Sequence, residues 1–150
     1  MNPDFRDILS TFCAEQVQFL IVGAYALAAH GYVRATGDID LWILPNPENA
    51  VRVMVALKRF GAPVNEISVR DFESPGMIYQ IGVAPRRIDI TTVIDAINFQ
   101  EAWDTRKIIN LEGLTVGVLN YTHLLQNKRA TGRPKDRGDV RWLEAHPPAE

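Results

Sequence analysis

Apolar and polar residues alternate along the first third of the chain with two periods, one typical of helices and one typical of strands. Apolar residues recur every three or four positions over residues 3–16, which predicts an amphipathic helix. The continuous apolar run at residues 17–22 predicts a buried strand that ends at Gly23. An alanine-rich segment over residues 23–30 then favours a second helix, with Gly31 as its stop signal.

The same patterns continue through the rest of the chain. After Gly37, residues 38–43 alternate as a strand does, and Asn46 with Pro47 predicts the cap and first turn of a helix that ends near residue 60, before Gly61. The second half predicts two strands joined by a turn at residues 84–85, a short helix, a hairpin and two closing helices. Their predicted ranges are 78–83, 86–93, 98–106, 107–119, 120–130 and 135–145.

Composition predicts one compact soluble domain over residues 1–150, since 47% of the 150 residues are hydrophobic. The formal net charge of −2 gives no global field that would indicate nucleic acid or a membrane as partner. The lone Cys13 cannot form an internal disulfide, which fits a reducing cytosol. The chain starts without the basic and apolar regions of a signal peptide and has no apolar run of membrane-spanning length, so a cytoplasmic location is expected.

The strongest chemical signal is the pair Asp38 and Asp40 on the predicted strand that follows Gly37. Side chains two residues apart on a strand point to the same face, roughly 6.5–7 Å apart at the backbone. Both carboxylates can therefore bind magnesium ions in a two-metal site, where the ions lie about 3.5–4 Å apart. Mg2+ prefers oxygen ligands, and this site has no His or Cys beside it. The pattern predicts phosphate chemistry supported by two Mg2+ ions.

Gly23 lies at the predicted turn between the first strand and the helix that follows it. A glycine there lets a triphosphate approach the backbone, and the first turn of a helix offers free N–H groups to phosphate oxygens. Gly23 and Ala24 are therefore predicted to bind phosphate. A glycine turn alone is common, and its specificity comes from the Asp-x-Asp pair on the next strand.

These residues resemble a known family. The segment with the resemblance is IVGAYALAAHGYVRATGDIDLWI, and the closing stretch LLQNKRATGRPKDRGDVRWL is also similar. Both resemble the minimal nucleotidyltransferases of the DNA-polymerase-β superfamily, in particular the AbiEii-type toxin proteins of bacterial abortive-infection and toxin–antitoxin systems. The positions that match are the turn, the Arg-x-Thr loop and the first two carboxylates: Gly23, Ala24, Arg34, Thr36, Asp38 and Asp40. The second turn position is often Gly or Ser in that family, so Ala24 offers only its backbone N–H.

The resemblance implies an α+β nucleotidyltransferase (polymerase-β-like) fold, in which helices pack on a mixed β-sheet and two C-terminal helices close the domain. It implies an Mg2+-dependent enzyme that moves an NMP from an NTP onto a hydroxyl of tRNA or of a protein. It also implies a role as the toxin of a toxin–antitoxin pair, with a cognate antitoxin as partner. Arg34 and Thr36 would then contribute to nucleotide binding.

The family usually supplies a third carboxylate from a later strand, and Asp89 is predicted for that position. Residues 87–91 alternate between polar and apolar as a strand of the sheet should. Asp89 would bind metal and serve as, or assist, the general base toward the acceptor hydroxyl. Asp95 is the rival, but it lies beyond the alternating segment.

The closing stretch is locally basic between residues 128 and 141. Lys128 and Lys135 are the predicted phosphate contacts, because clustered cations beside a carboxylate site attract a triphosphate. Asp136 and Asp139 are expected only to pair with the cations at positions 133, 135 or 137 of the same segment. Trp42, on the Asp face of its strand, is a candidate for stacking on the base.

Two alternatives stay open at this level. One is a catalytically weak or inactive binding module with the same fold, such as an antitoxin or a nucleotide sensor, which Ala24 leaves room for. The other is an RNA-binding protein that uses the basic stretch of residues 128–141. The stretch lacks the interleaved aromatic residues that stack on single-stranded bases, which disfavours that interpretation.

Overall fold

A computed structural model describes residues 1–83 and 85–149. Its helices and strands follow one another in the order α1 to α6 and β1 to β6, with one short 3-10 helix between α3 and β3. The elements are α1 (Pro3–Ala14), β1 (Phe19–Val22), α2 (Gly23–Ala29), β2 (Asp38–Ile43), α3 (Pro47–Phe60), the 3-10 helix (Val69–Phe72), β3 (Ile78–Val83), β4 (Arg86–Thr91), α4 (Phe99–Asp104), β5 (Lys107–Leu111), β6 (Leu114–Val118), α5 (Tyr121–Thr131) and α6 (Pro134–Ala145).

The strands form one six-stranded sheet in the order β3-β4-β2-β1-β6-β5. β2 pairs with β4 and β1 pairs with β6 in parallel, whereas the other neighbouring pairs are antiparallel. Parallel neighbours cannot be joined by a tight hairpin, so the chain crosses over between them, and α3 is part of the connection from β2 to β4. Helix α1 packs on α3. The arrangement confirms the predicted α+β class, with helices packed on a mixed sheet.

The core explains why the strands have the observed sequence patterns. All four residues of β1 are buried, as a continuous apolar run at the centre of a sheet requires. On β2, Ile39 and Leu41 are fully buried, whereas Asp38 and Asp40 are partly exposed on the other face. Alternation along β2 therefore turns two carboxylates toward an open surface while the strand itself stays anchored in the core.

The predicted start and stop signals of helix α3 are confirmed. The Asn46 side chain accepts a hydrogen bond from the Asn49 N–H at 2.8 Å, and Gly61 ends the helix in the left-handed region with φ of 94°. Helix α5 has a similar cap, since Asn120 accepts from the His123 N–H at 2.7 Å. None of the helices in the described part of the chain has the length and apolar character to cross a bilayer.

Most differences from the predicted boundaries are small. Helix α1 ends two residues before residue 16, because Gln16 takes the left-handed conformation with φ of 57°, and β1 begins at Phe19 instead of residue 17. Strand β4 ends at Thr91, two residues early. The 3-10 helix was not predicted. In the predicted turn at residues 84–85, residue 84 lies outside the described residues.

Candidate active site

Three carboxylates lie close together on one face of the sheet. Asp38 and Asp40 belong to β2, and the parallel pairing of β2 with β4 places Asp89 directly opposite Asp40. Neighbouring strands are about 4.8 Å apart, so these two side chains leave the sheet as close neighbours. Asp89 comes from a part of the chain some fifty residues away from the other two, and the strand order is what brings it to them.

Asp40 is the most electrostatically constrained of the three carboxylates. Burial, followed by the charge of Asp89, the hydrogen bond with Asp89 and the charge of Asp38, raises the pKa of Asp40 to about 6, while nearby Lys128 acts to lower it. Burial and two like charges both disfavour the ionised form of Asp40. Such a site favours the binding of a further cation.

Arg87 lies within the same cluster. It precedes Asp89 by two residues on β4, so it shares the face of the carboxylates, and its partner across the strand pair is Asp38. Its Nε and Nη2 atoms donate to the two oxygens of Asp89 at 2.8 and 3.1 Å, and Nη2 lies 3.5 Å from Oδ2 of Asp38. The hydrogen bond and charge of Asp89 raise the pKa of Arg87. The guanidinium therefore bridges Asp38 and Asp89.

Gly23 forms the turn between β1 and α2, next to Asp40. Its φ of +69° lies in the left-handed region, and a Cβ atom built on it would be 2.3 Å from Oδ2 of Asp40. Both facts require glycine at this position, since any other side chain would be strained and would collide with the carboxylate. Without that side chain, the backbone of the turn is open to a ligand that also contacts Asp40.

These residues line one cavity of about 730 Å³. The sheet contributes the three aspartates and Arg87 to the cavity lining, and the loop before β2 and the closing helices contribute cations. These cations, named the basic wall, are Arg34, Lys128, Arg133 and Lys135. A cavity lined by both carboxylates and cations suits a ligand that brings both divalent cations and phosphates.

The donor chemistry of the cluster was tested against a divalent cation. Three carboxylates give the oxygen ligands that Mg2+ prefers. Within residues 1–83 and 85–149, however, no three Asp, Glu, His or Cys side chains have an arrangement that would hold a metal ion. The Arg87 guanidinium forms ion pairs with two of the three carboxylates, Asp38 and Asp89. The ligand types of the cluster fit Mg2+.

Comparison with solved structures identifies the fold. TM1012 from Thermotoga maritima, described as a nucleotidyltransferase, superposes with a TM-score of 0.62 at 14% identity, covering 97% of this chain and 96% of TM1012. The lincosamide antibiotic adenylyltransferase LnuA, bound to lincomycin, gives 0.61 at 14% identity and covers 97% of each chain. ANT(2″)-Ia in complex with adenylyl-2″-tobramycin gives 0.63 at 17% identity, over 94% of this chain and 86% of its own. The chain has the nucleotidyltransferase fold.

By sequence, the chain matches no protein-family model and has no significant match among curated proteins. The likeness to structures of the nucleotidyltransferase fold therefore lies in the arrangement of helices and strands. The sequence identities are low, so few side chains are shared. The predicted polymerase-β-like fold is confirmed on this ground. The roles of individual residues depend on the geometry of the site alone.

On this nucleotidyltransferase fold, the closing helices carry a buried network of ion pairs. Lys128 on α5 lies 3.3 Å from both Asp136 and Asp139 on α6, and all three side chains are almost completely buried. Arg34 donates to Asp139 at 2.7 and 3.2 Å, and Arg133 donates to Asp136 at 2.7 Å. Three cations surround two carboxylates, so this network keeps one unit of positive charge.

The expectation that Asp136 and Asp139 pair with cations at positions 133, 135 or 137 is confirmed for Asp136 with Arg133 and wrong for the other partners. Both are fully buried, and both contact Lys128 on the preceding helix, while Asp139 also reaches Arg34 in a distant loop. Although burial alone raises it, hydrogen bonds from Arg133 and Thr131 hold the pKa of Asp136 below its usual range. Spacing along one helix indicates only partners on the same helix, whereas Lys128 and Arg34 lie on other elements.

The expectation that Trp42 stacks on a base is also wrong. Its side chain is 2% exposed and packs edge-on against Phe99, with ring centroids 4.8 Å apart. Trp42 points to the same face of β2 as Asp38 and Asp40, but helix α4 covers this end of the strand. An aromatic residue that is buried in this way contributes to packing and is inaccessible to a nucleotide.

The remaining predicted residues lie at the rim of the cavity. The Thr36 hydroxyl, which is in hydrogen-bond range of the Asp38 N–H at 3.2 Å, stabilises the turn before β2, and exposed Lys135 lies on the first turn of α6. Asp95, the rival third carboxylate, also lines the cavity, but it follows the end of β4 and is not paired with β2. Sequence reasoning missed Arg87, although the alternation that indicated Asp89 includes position 87.

Proposed function

We propose that this chain is an Mg2+-dependent nucleotidyltransferase that transfers an NMP from an NTP to a hydroxyl group. One observation carries the proposal: Asp38, Asp40 and Asp89 converge on one sheet face beside the open turn at Gly23, inside a single cavity. The fold supports it, because structures of nucleotidyltransferases share this arrangement of elements.

The three aspartates are the residues that would hold the cation. A bound Mg2+ supplies neutralisation of phosphate charge and lowers the pKa of a hydroxyl that it contacts. The raised pKa of Asp40 supports this assignment, because burial and the charges of Asp89 and Asp38 destabilise its ionised form, which a bound cation would stabilise. Two ions are proposed, since Asp38 and Asp40 lie two residues apart on the same face of β2 and Asp89 lies opposite Asp40.

The cavity offers separate places for the nucleotide and the acceptor. Its volume of about 730 Å³ lies in the range of small-ligand sites, which is about 300–1,000 Å³. Backbone N–H groups at Gly23 and Ala24, together with the basic wall, would bind the triphosphate. The basic wall includes Arg34 and exposed Lys135, while Lys128, which is buried between Asp136 and Asp139, would contribute through its charge. The side of the cavity that includes Ile78 and Thr91 stays free for the acceptor.

The reaction that these groups would support is a displacement at the α-phosphorus. A bond forms between the acceptor oxygen and the α-phosphorus, and the bond to the bridging oxygen of the pyrophosphate breaks. Asp89 acts as the general base, which takes the hydroxyl proton, or it assists the group that takes this proton. Cations of the basic wall would stabilise the negative charge on the leaving pyrophosphate.

The acceptor that we propose is a hydroxyl of tRNA or of a protein side chain. The resemblance of the sequence to toxin-type nucleotidyltransferases suggests this class, and it also suggests a toxin role with a cognate antitoxin. LnuA and ANT(2″)-Ia, which share the fold, are seen with lincomycin and with adenylyl-2″-tobramycin. Small hydroxylated antibiotics therefore belong in the same acceptor screen.

The test is label transfer by the purified protein. Each of the four NTPs, labelled at the α-phosphate, is incubated with Mg2+ and total RNA, a protein lysate or hydroxylated antibiotics. Label should appear in one acceptor class, and it should disappear in the Asp38→Ala, Asp40→Ala double variant and in EDTA. Transfer that persists in the double variant would reject the assignment.

A nucleotide-binding module without turnover is the second candidate. The pairing of Arg87 with Asp38 and Asp89 favours it, because the guanidinium occupies the position between two proposed metal ligands. Ala24 favours it too, since it has no side-chain donor for phosphate. Mg2+-dependent binding of an NTP, measured by calorimetry, without label transfer to any acceptor would identify this function.

A further inference from the structure

Arg87 occupies the centre of the carboxylate cluster, and neither the fold nor the proposed chemistry assigns it a role. Its side chain is 32% exposed, whereas Asp89 beneath it is 14% exposed. The guanidinium is thus reachable from the cavity and lies above a largely enclosed carboxylate. An arginine that served only to stabilise the sheet would not need to bridge two proposed metal ligands.

The geometry of the pairing is specific. Nε and Nη2 bind the two oxygens of Asp89 in the two-point manner that matches the planar fork of arginine to a carboxylate. The contact of Nη2 with Asp38, at 3.5 Å, is longer and weaker. Strand pairing fixes both partners, since Arg87 is opposite Asp38 and two residues from Asp89. The bridge is therefore built into the register of β2 and β4.

A guanidinium and a divalent cation cannot both lie between the same two carboxylates. Each is positively charged, so their mutual repulsion adds to the direct competition for Asp38 and Asp89 oxygens. A cation that takes oxygens of both Asp38 and Asp89 at about 2.0–2.1 Å competes with the fork for those oxygens. The binding of a cation between these two carboxylates therefore favours a displaced Arg87.

We propose that Arg87 is an internal competitor of the divalent cation, which it keeps out of the site until a nucleotide-bound cation displaces it. This inference rests on the proposed function, because it assumes that Asp38, Asp40 and Asp89 bind the cation. A free ion must displace Arg87 alone, whereas an ion that arrives with a triphosphate also gains the phosphate contacts of the basic wall. The site would thus stay closed to free Mg2+ and open to the Mg2+–nucleotide complex.

The experiment compares Mn2+ affinity among variants, with electron paramagnetic resonance of free Mn2+ as the readout and no nucleotide present. Arg87→Gln keeps hydrogen-bonding capacity and removes the charge, and it should bind Mn2+ about three- to tenfold more tightly than the wild type. Arg87→Lys, which keeps the charge without the fork, should fall between them. Asp40→Ala should bind Mn2+ more weakly than any of these proteins.

Two matched controls separate competition from general electrostatics. Arg86→Gln removes a charge from the neighbouring residue, whose side chain belongs to a separate cavity with Phe5 and Phe60. Arg137→Gln removes a charge from an exposed position of α6 that does not line the cavity of the three aspartates. Both should change Mn2+ affinity by less than about twofold, because long-range effects between exposed charges are screened.

A second measurement follows Arg87 itself, by the 15N resonance of its Nε in the folded protein. Mg2+ with a nonhydrolysable NTP should shift this resonance, and Mg2+ alone at the same concentration should shift it much less. The proposal would be overturned if Arg87→Gln bound Mn2+ with unchanged affinity, or if the Nε resonance did not shift when Mg2+ and nucleotide bind. Label transfer by the wild type would then leave the proposed function standing, whereas tighter Mn2+ binding without any transfer would reject that function alone.

Discussion

At the scale of single residues, Asp40 shows the cost of placing three carboxylates together. Burial and the proximity of Asp89 and Asp38 raise its pKa to about 6, from 3.8 for an unperturbed aspartate. The folded protein therefore holds the proton on Asp40 more tightly than the unfolded chain does. It follows that the contribution of Asp40 to stability is present below pH 4 and is lost as the pH rises through 6.

Replacement of Asp40 by Asn is expected to remove this loss. In EDTA, the free energy of unfolding of Asp40→Asn should increase relative to that of the wild type by about 2–3 kcal/mol as the pH rises from 4 to 7.5. Urea unfolding at intermediate pH values measures the difference. Addition of Mg2+ with a nonhydrolysable NTP should reduce it, since a bound cation compensates the charge. Parallel pH profiles of the two proteins would contradict the assignment of Asp40 as the strained carboxylate.

How well the site could be predicted from sequence depended on the kind of residue. Asp38, Asp40 and Asp89 follow a period of two on strands, and that period alone predicts which face each one occupies. Arg87 obeys the same period, yet an arginine on a strand does not by itself indicate a partner. Trp42 also obeys it, but whether α4 covers that end of the strand is decided by tertiary packing, which periodicity does not contain.

At the scale of elements, the loop before β2 is joined to the closing helices by buried charges. Asp139 on α6 accepts two hydrogen bonds from Arg34 and lies 3.3 Å from Lys128 on α5. A fully buried carboxylate between two cations stabilises the fold only while both partners stay in place. The network thus fixes the basic wall of the cavity relative to the loop that leads into Asp38.

Removal of Asp139 should therefore be strongly destabilising. Asp139→Ala leaves Lys128 buried with one partner and frees Arg34, and it should lower the free energy of unfolding by about 3–5 kcal/mol. Arg129→Ala is the matched control, because its pair with Glu144 is exposed on both sides and should contribute less than about 1 kcal/mol. Chemical denaturation measures both values. Equal effects of the two substitutions would show that the buried network carries no special stability.

The elements themselves were largely predictable, and their boundaries and partners were less so. The strand at residues 38–43 and the helix that begins at Pro47 appear as predicted, because alternation, a cap and a glycine stop are local signals. Asp136 and Asp139 have a local spacing that suggests a solvated helix face. Their burial comes from Lys128 and Arg34, which lie on other elements, so no pattern within α6 reveals it.

At the scale of the whole molecule, the sheet order explains how a nearly neutral chain forms a strongly polar site. The net charge is only −2, yet the strand order gathers carboxylates on β2 and β4, and α5 with α6 places cations across the cavity. The net charge does not reveal this separation, because it sums the charges of all residues regardless of where they lie. The six-stranded mixed sheet brings carboxylates that are distant in sequence onto one face, in the cavity that the cations also line.

The central claim is that Asp38, Asp40 and Asp89 bind divalent cations together with a nucleotide. The most direct test is a crystal structure of the protein with Mn2+ and a nonhydrolysable NTP, recorded with anomalous diffraction from manganese. We expect anomalous peaks within bonding distance of the three aspartates, triphosphate density at Gly23 and Ala24, and an Arg87 that has left Asp38. Nucleotide bound outside this cavity, or manganese density absent from the three aspartates with nucleotide present, would contradict it.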